Sequence, residues 1–197
     1  MITEQIKAQT SDSHRSAERT DFMKNLFSGD LPIESYIKYL SVLMYVYDTL
    51  EATIRDNLNS DVIKGIFDEK LERSWQISSD LGNMEKVVPF DGKLTDYLNE
   101  YMIMIGKASP VELAAHHYIR YLGDLSGGQI LKNVLKKNYS LSDNQLSFYE
   151  FDLDAKTYRE NYKEKLNRLI NKESDANLFT NTVNKIYDIT TKILNSI

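Results

Sequence analysis

The stretch GDLSGGQILK at residues 123–132 combines residue types that suit ligand binding. Three of the eight glycines in the chain, Gly123, Gly127 and Gly128, interrupt an otherwise helical pattern here. Each glycine costs a helix interior about 1 kcal/mol relative to alanine, so something must offset the loss. Gly123 and Gly127 are four residues apart and share a helix face, where missing side chains let another group approach the backbone. Asp124 would lie beside that group.

Four interpretations of these glycines compete. The first is close packing of two helices through small residues. A membrane dimerisation motif is disfavoured, because Arg120 and Asp124 lie on the same segment and no long apolar run surrounds them. A nucleotide site is excluded, because Gln129 and Ile130 stand where a phosphate-binding loop needs Lys and Ser or Thr. The fourth interpretation is a flat ligand lying directly against the helix backbone.

A flat, redox-active ligand suggests haem, which needs an axial ligand from the protein. The chain has three histidines, His14, His116 and His117. A single helical histidine is more often structural or exposed than a ligand. His14 is a stronger candidate ligand because Glu18, four residues later on the same face, can accept a hydrogen bond from its second ring nitrogen. Lys7 lies roughly 10 Å earlier along that face, a distance that suits a haem propionate.

The elements that must position these groups are helical. Apolar residues between 40 and 54 recur every three or four residues, which indicates one buried helix face. Residues 109–112 and 142–145 have the spacing of capping boxes. Helices are predicted near residues 3–27, 32–57, 70–83, 93–106, 110–138, 142–150, 154–172 and 175–196. The fold class is therefore all-α, as a single domain over residues 1–197.

Composition narrows the class of protein. The chain has 197 residues. Its net charge of −5 argues against a nucleic-acid partner, and the absence of cysteine excludes thiolate chemistry. The N-terminal residues are polar and do not form a secretory signal, and no run is apolar enough to span a bilayer. We expect a soluble, cytoplasmic protein that is a monomer.

Two separated segments resemble the haem oxygenase family. The stretch YIRYLGDLSGGQ at residues 118–129 is similar to the distal-helix motif of that family at nearly every position. The segment from His14 to Met23, with Glu18, is similar to its proximal segment. The resemblance covers residues from about 3 to 195. It implies an all-α, multi-helix fold with haem between a proximal N-terminal helix and a glycine-rich, kinked distal helix.

The family's haem contacts can be placed on this chain. The resemblance implies that His14 is the axial ligand of the haem iron and that Glu18 orients it. Gly123, Ser126 and Gly127 would bring the distal helix against the haem. The C-terminal helix is expected to cover part of the pocket with aromatic and aliphatic groups.

The resemblance also implies catalytic residues. Asp124 would anchor a water network beside bound dioxygen, so that the haem ring is attacked and the O–O bond is not cleaved early. Arg120 and Tyr47 would be partners in that network. Without the resemblance, Arg120 would be interpreted as a surface cation and Tyr47 as a core residue.

A further set resembles the family's propionate-binding residues, namely Lys7, Tyr118, Arg159 and Lys163. Arg159 and Lys163 are four residues apart on one predicted helix, so both can face the same pair of carboxylates. The chain departs from the mammalian pattern by exchanging Arg and Lys at these two positions, and the two cations bind carboxylates differently. Because the usual cations are present, we expect the α-isomer of the product.

The implied function is cleavage of haem to biliverdin IXα, carbon monoxide and ferrous iron, in a soluble enzyme of bacterial, algal or phage type. Haem b would be substrate and cofactor, with dioxygen as co-substrate. The sequence has no flavin or nicotinamide fingerprint, so electrons must come from an external donor such as a ferredoxin, a flavodoxin-type protein or a reductase.

Other functions remain as alternatives. The main one is a haem-binding carrier or sensor without turnover, against which Asp124 argues, since a carrier needs no distal carboxylate. A thiaminase-like enzyme would require a cysteine nucleophile, which the chain lacks. A di-iron oxidase would require paired Glu-x-x-His motifs, whereas Glu112 is followed by His116 and His117 at spacings of four and five.

Overall fold

The computed structural model describes residues 1–84, 86 and 88–197, and over these residues it contains α-helices, three short 3₁₀ helices and no strand. The all-α prediction is confirmed. The helices are α1 Ile2–Glu18, α2 Asp21–Ser28, α3 Ile33–Asp56, α4 Asp61–Ile66, α5 Ser74–Met84, α6 Gly92–Gly106, α7 Pro110–Tyr139, α8 Ala155–Leu169 and α9 Glu173–Leu194. The 3₁₀ helices are Glu69–Leu71, Asp143–Gln145 and Ser147–Tyr149. None of the described helices is long and apolar enough to cross a membrane.

The predicted helix over residues 3–27 is two helices, so that prediction was wrong. Thr20 separates them, because its side chain accepts a hydrogen bond from the amide of Met23 and so caps α2. The α2 helix ends at Gly29, whose φ of +88° lies in the left-handed region that glycine adopts without strain.

Two other boundaries differ from the prediction. No helix was predicted where the structure has α4. The helix predicted over residues 142–150 consists of two 3₁₀ helices. Asp80, a buried carboxylate of α5, accepts hydrogen bonds from the amides of Ser147 and Phe148, both at 2.9 Å. These bonds satisfy backbone donors that an α-helix would have left unpaired in its first turn, and they hold the segment in its tighter form.

The long helix α7 forms the centre of the structure. It starts where predicted, with a capping box between Ser109 and Glu112 and Pro110 in the first turn. Its first half is almost fully buried, including His116 and His117. It continues as one helix through all three glycines, and a kink there stays a prediction. The α9 helix packs against both α1 and α7 and therefore fixes their relative positions.

Buried polar groups join the helices. Glu51 of α3 accepts hydrogen bonds from the amide of Arg73 at 2.6 Å and from the hydroxyl of Tyr121 at 3.3 Å. On the other side of α7, Nδ1 of His117 is 2.8 Å from the hydroxyl of Tyr162 in α8. Burial lowers the pKa of His117 to about 3, so its ring is neutral and needs this hydrogen bond.

Tyr162→Phe should therefore destabilise the protein. The change keeps the ring and removes the hydroxyl, which leaves Nδ1 of the buried His117 unpaired. We expect the free energy of unfolding to fall by about 1–2 kcal/mol, measured by urea denaturation. Tyr45→Phe, at a side chain that is 53% exposed, should change it little. Equal stability of native protein and Tyr162→Phe would contradict a structural role for this bond.

Candidate active site

One face of α7 is bare. Gly123, Ser126 and Gly127 are exposed, whereas the neighbouring Leu122 and Leu125 are buried. A Cβ atom added at Gly123 or at Gly127 would meet nothing within 4 Å. The predicted open glycine face is therefore present in the structure.

Gly128 has a different role. A Cβ atom there would lie 3.3 Å from a ring carbon of Tyr149, so this glycine allows close packing inside the protein. Ile130 continues the bare face by a further turn and is 60% exposed. Ile130 therefore adds an apolar group to the face. It was not among the predicted site residues, although its spacing from Gly123 places it on the same side of the helix.

Asp124 lies at the edge of this face and is partly buried. The hydroxyl of Tyr47 donates a short hydrogen bond to Oδ2 of Asp124. Tyr47 comes from α3, where it is fully buried with its ring packed against Tyr121 and Phe148, at centroid distances of 5.6 and 5.7 Å. The phenol is thus held rigidly, and it fixes the position of the carboxyl group.

The surroundings of Asp124 favour its neutral form. Burial raises the pKa of the carboxyl group from 3.8 to about 7, although the Tyr47 bond and the charges of Arg120 and Arg73 act in the opposite direction. Burial and the adjacent carboxylate also raise the pKa of Tyr47 well above its usual value, so Tyr47 remains a donor. A carboxyl group that titrates near neutral pH can both accept and donate a proton.

Arg120 lies one turn before Asp124 on α7, but no hydrogen bond joins the two side chains. Its Nη2 is 3.3 Å from Oγ1 of Thr190 in α9, and its guanidinium carbon is 5.8 Å from the ring centre of Tyr101 in α6. Arg120 therefore acts on Asp124 through its charge, as a fixed cation between three helices.

His14 is on α1, with its side chain half exposed. Its Nδ1 is 3.4 Å from Oε2 of Glu18, as the spacing predicted. Its ring contacts the edge of Tyr187 in α9, at a centroid distance of 5.3 Å. A carboxylate near Nδ1 favours the tautomer in which Nε2 carries the free lone pair, which is the arrangement of a metal-ligating histidine.

The C-terminal helix connects both sides of the site. Tyr187 contacts His14, and Thr190, three residues later on α9, contacts Arg120. This helix was predicted to cover part of the pocket, but neither residue was among the predicted contacts. Its apolar periodicity shows which face of α9 is buried, whereas the contacts depend on how helices far apart in sequence pack together.

The predicted propionate set is only partly assembled. Nη1 of Arg159 donates a hydrogen bond of 2.9 Å to Oγ of Ser126, which brings α8 to the bare face of α7. Tyr118 is half-buried on α7. Lys7 and Lys163 are exposed on α1 and α8.

These residues fit a haem. A bare helix face would accept the flat ring, an orientated imidazole could bind the iron, and a cation stands at the rim. Within the described ranges, no group of three or more His, Cys, Asp or Glu side chains could hold a metal ion, so the di-iron alternative finds no support there. The fold and the site together define an all-α protein suited to hold haem beside a titratable carboxyl group.

Known proteins agree with this description. The family model described as Heme oxygenase matches residues 1–196. A heme oxygenase of Guillardia theta is 37% identical over 172 residues, covering 84% of this chain and 73% of the relative.

Solved structures agree as well. The heme oxygenase of Leptospira interrogans is 28% identical with a TM-score of 0.90, covering 100% of this chain and 99% of that one. Heme oxygenase-1 of Synechocystis, in complex with heme, is 28% identical with a TM-score of 0.88, covering 98% and 90%. The chain belongs to the haem oxygenase family.

Gly127→Ala should separate stability from ligand binding. In the haem-free protein, we expect a gain in the free energy of unfolding of up to about 1 kcal/mol, because the new methyl group meets no atom and alanine favours the helix. Hemin affinity, measured by optical titration, should fall at least about tenfold. Gly82→Ala, at an exposed and open position of α5, should leave hemin affinity unchanged. Undiminished affinity in Gly127→Ala would place the ligand elsewhere.

Asp124→Asn should change how the stability of the haem-free protein depends on pH. Because the folded pKa of about 7 is higher than the usual 3.8, the native protein loses stability as pH rises from about 4 to 7. The variant lacks this loss. We expect its stability relative to the native protein to grow by about 1–2 kcal/mol from pH 5 to pH 8; full burial would give more, but the carboxyl group is partly exposed. If the stabilities of the native protein and of Asp124→Asn changed in parallel between pH 5 and pH 8, Asp124 would be ionised over that whole range.

Proposed function

We propose that this haem oxygenase opens the ring of bound haem with dioxygen and externally supplied electrons, releasing biliverdin, carbon monoxide and ferrous iron. Haem is the substrate, as the family and the haem complex of a relative support. The observation that carries the proposal is the placement of a titratable carboxyl group, Asp124, at the edge of the bare glycine face. A protein that only stored haem would have no use for that group.

Each residue then has a function that follows from its position. Bound haem supplies both the iron at which dioxygen is activated and the ring that is attacked. His14 would hold the iron from α1, and Glu18 would favour the ligating tautomer of its ring. Gly123 and Gly127 would let the ring of the haem lie directly against the backbone of α7, which would leave little room for dioxygen on that side.

Proton delivery is the function proposed for Asp124. A carboxyl group with a pKa near 7 can pass protons to the reacting oxygen through water. The hydrogen bond from Tyr47 keeps Oδ2 occupied, which leaves Oδ1 to hold that water. The positive charge of Arg120 keeps the ionised form accessible at neutral pH.

The cations at the rim would determine which ring carbon is attacked. Arg159 lies against the bare face through Ser126, and we propose that Lys7, Tyr118 and Lys163 join it as propionate partners when haem is bound. These residues would hold the propionates and so prevent the haem from rotating in its plane, which would present one meso carbon for attack. We propose the α carbon, and a monomer that receives electrons from a ferredoxin, a flavodoxin-type protein or a reductase.

Asp124→Ala tests the catalytic role. Native protein and variant should both bind hemin with one-to-one stoichiometry. With a reductant in air, the native protein should yield biliverdin IXα, identified by chromatography, and the variant at least about tenfold less. Asp48→Ala, at an exposed carboxylate beside Tyr47, serves as control. Normal biliverdin yield from Asp124→Ala would remove Asp124 from the mechanism, and haem binding without product in the native protein would favour the carrier function.

His14→Ala tests the axial ligand. The variant should lose the optical spectrum of histidine-ligated ferric haem, and added imidazole should restore it, because the cavity left by the side chain can hold the free ligand. Ser16→Ala, exposed on the same helix, should keep the native spectrum. If His14→Ala binds hemin with an unchanged spectrum, another residue ligates the iron.

A further inference from the structure

The N-terminal helix α1, which carries His14, is anchored unevenly along its length. Its buried residues are Ile2, Ile6, Thr10 and Ala17. Both large apolar side chains of this set, Ile2 and Ile6, lie in the first two turns. The hydroxyl of Thr10 donates to the carbonyl oxygen of Ile6 at 2.7 Å, so this donor is used within α1 itself. The half of α1 that carries His14 therefore buries little apolar surface, and hydrophobic packing alone holds it weakly.

One side chain of α9 makes polar contacts with this half of α1. Oδ1 of Asn184 accepts a hydrogen bond of 2.8 Å from the hydroxyl of Ser13, and this bond is partly buried. Nδ2 of the same amide donates to the carbonyl oxygen of Gln9 at 3.4 Å. Because Gln9 and Ser13 are four residues apart, Asn184 spans one turn of α1. That turn immediately precedes His14.

The same face of α9 also contacts the imidazole of His14. Tyr187 follows Asn184 by three residues and is therefore its neighbour on the helix surface. The ring centre of Tyr187 is 5.3 Å from that of His14, and the two rings are nearly perpendicular, at 87°. Neighbouring side chains of α9 thus contact both the backbone before His14 and its ring.

A second amide joins the two helices near their N-terminal ends. Nε2 of Gln5 donates to Oδ1 of Asn177 at 3.0 Å, and this pair is exposed. The contacts at Asn177 and Asn184 follow the same order along both helices, so α1 and α9 run parallel. Polar pairs between packed helices specify register, because a slide of one helix leaves the pairs unmade, whereas apolar contacts tolerate it better. The pair at Asn184 is the one next to His14.

We propose that Asn184 is a positioning residue for His14. By bonding to the turn that precedes His14, it fixes the register of α1 on α9 and so determines where the imidazole lies and how it meets Tyr187. Glu18 acts on the tautomer of the ring, whereas Asn184 acts on its location. The consequence for the iron rests on the proposed function of His14. The location of the ring does not, and it can be measured without haem.

Nuclear magnetic resonance of the haem-free protein tests the location of the ring. In protein labelled with ¹³C at histidine and tyrosine, a cross-peak between ring protons of His14 and Tyr187 reports their proximity. In Asn184→Ala, this cross-peak should be lost and the ring shifts of His14 should change, because shielding by the tyrosine ring depends on geometry. An unchanged cross-peak and unchanged shifts in folded Asn184→Ala would overturn the proposal.

Asn177→Ala is the matched control. It removes an amide bond between the same two helices, about two turns further from His14, and the cross-peak should persist. Equal loss in Asn177→Ala and Asn184→Ala would overturn the proposal, since any weakening of the helix contact would then suffice.

Two further variants separate the bonds of Asn184. Ser13→Ala removes only the shorter bond and should shift the ring signals of His14 in the same direction as Asn184→Ala. Asn184→Asp keeps the acceptor for Ser13 and should return these signals towards their native positions. Native signals in Ser13→Ala, or no recovery in Asn184→Asp, would contradict positioning through this bond.

With hemin bound, the same variants test the consequence for the iron. Hemin affinity in optical titration should be about fivefold lower in Asn184→Ala, the loss expected for one hydrogen bond, and unchanged in Asn177→Ala. The iron–histidine stretching band of the ferrous complex, measured by resonance Raman spectroscopy, should shift in Asn184→Ala only. Native affinity and a native band in Asn184→Ala would contradict its role in ligation. A native complex without this band would instead remove His14 as the ligand and leave the haem-free result valid.

Discussion

The bare backbone of α7 at Gly123 and Gly127 is the constraint on which the rest of the structure depends. A helix that makes no side-chain contacts on one face can be fixed in position only by packing on its other faces. The first half of α7 is accordingly almost fully buried. The glycines lower helix stability by roughly 1 kcal/mol each, which burial of the flanking leucines and the capping box at Ser109 offset. The helix can therefore present backbone to a flat ligand without losing its shape.

Asp124 shows how this arrangement shifts the pKa of a carboxyl group to near neutral pH. Burial favours a neutral carboxyl group, while Arg120 and the phenol of Tyr47 favour the ionised one, and the balance leaves its pKa near 7. The carboxyl group thus costs the fold stability at neutral pH, as strained or poorly solvated groups at functional sites commonly do. Tyr47 of α3 keeps the carboxyl group in position, and Thr190 of α9 does the same for Arg120.

Local signals in the sequence predicted most helices and the open glycine face of α7, whereas contacts between remote segments could not be predicted from them. Glycine spacing predicted the open face of α7, because the spacing and the missing side chains are both local properties. The split at Thr20 was missed, because a single capping side chain decides it against a continuous apolar pattern. The roles of Tyr187 and Thr190 depend on how α9 docks against α1 and α7, which periodicity does not specify. The Tyr47 bond to Asp124 came from family resemblance and not from the residues alone.

The most direct test of the central claim is to locate bound hemin on the protein. Ferric haem broadens nearby amide signals, so a ¹⁵N–¹H titration of the haem-free protein maps where the iron lies. We expect the signals around His14 of α1 and those of Gly123 and Gly127 on α7 to disappear first and together. Signals around the surface cleft lined by Asp91, Tyr97 and Lys192 should persist. Broadening confined to that cleft, or absent from either α1 or α7, would contradict a haem held between His14 and the bare face.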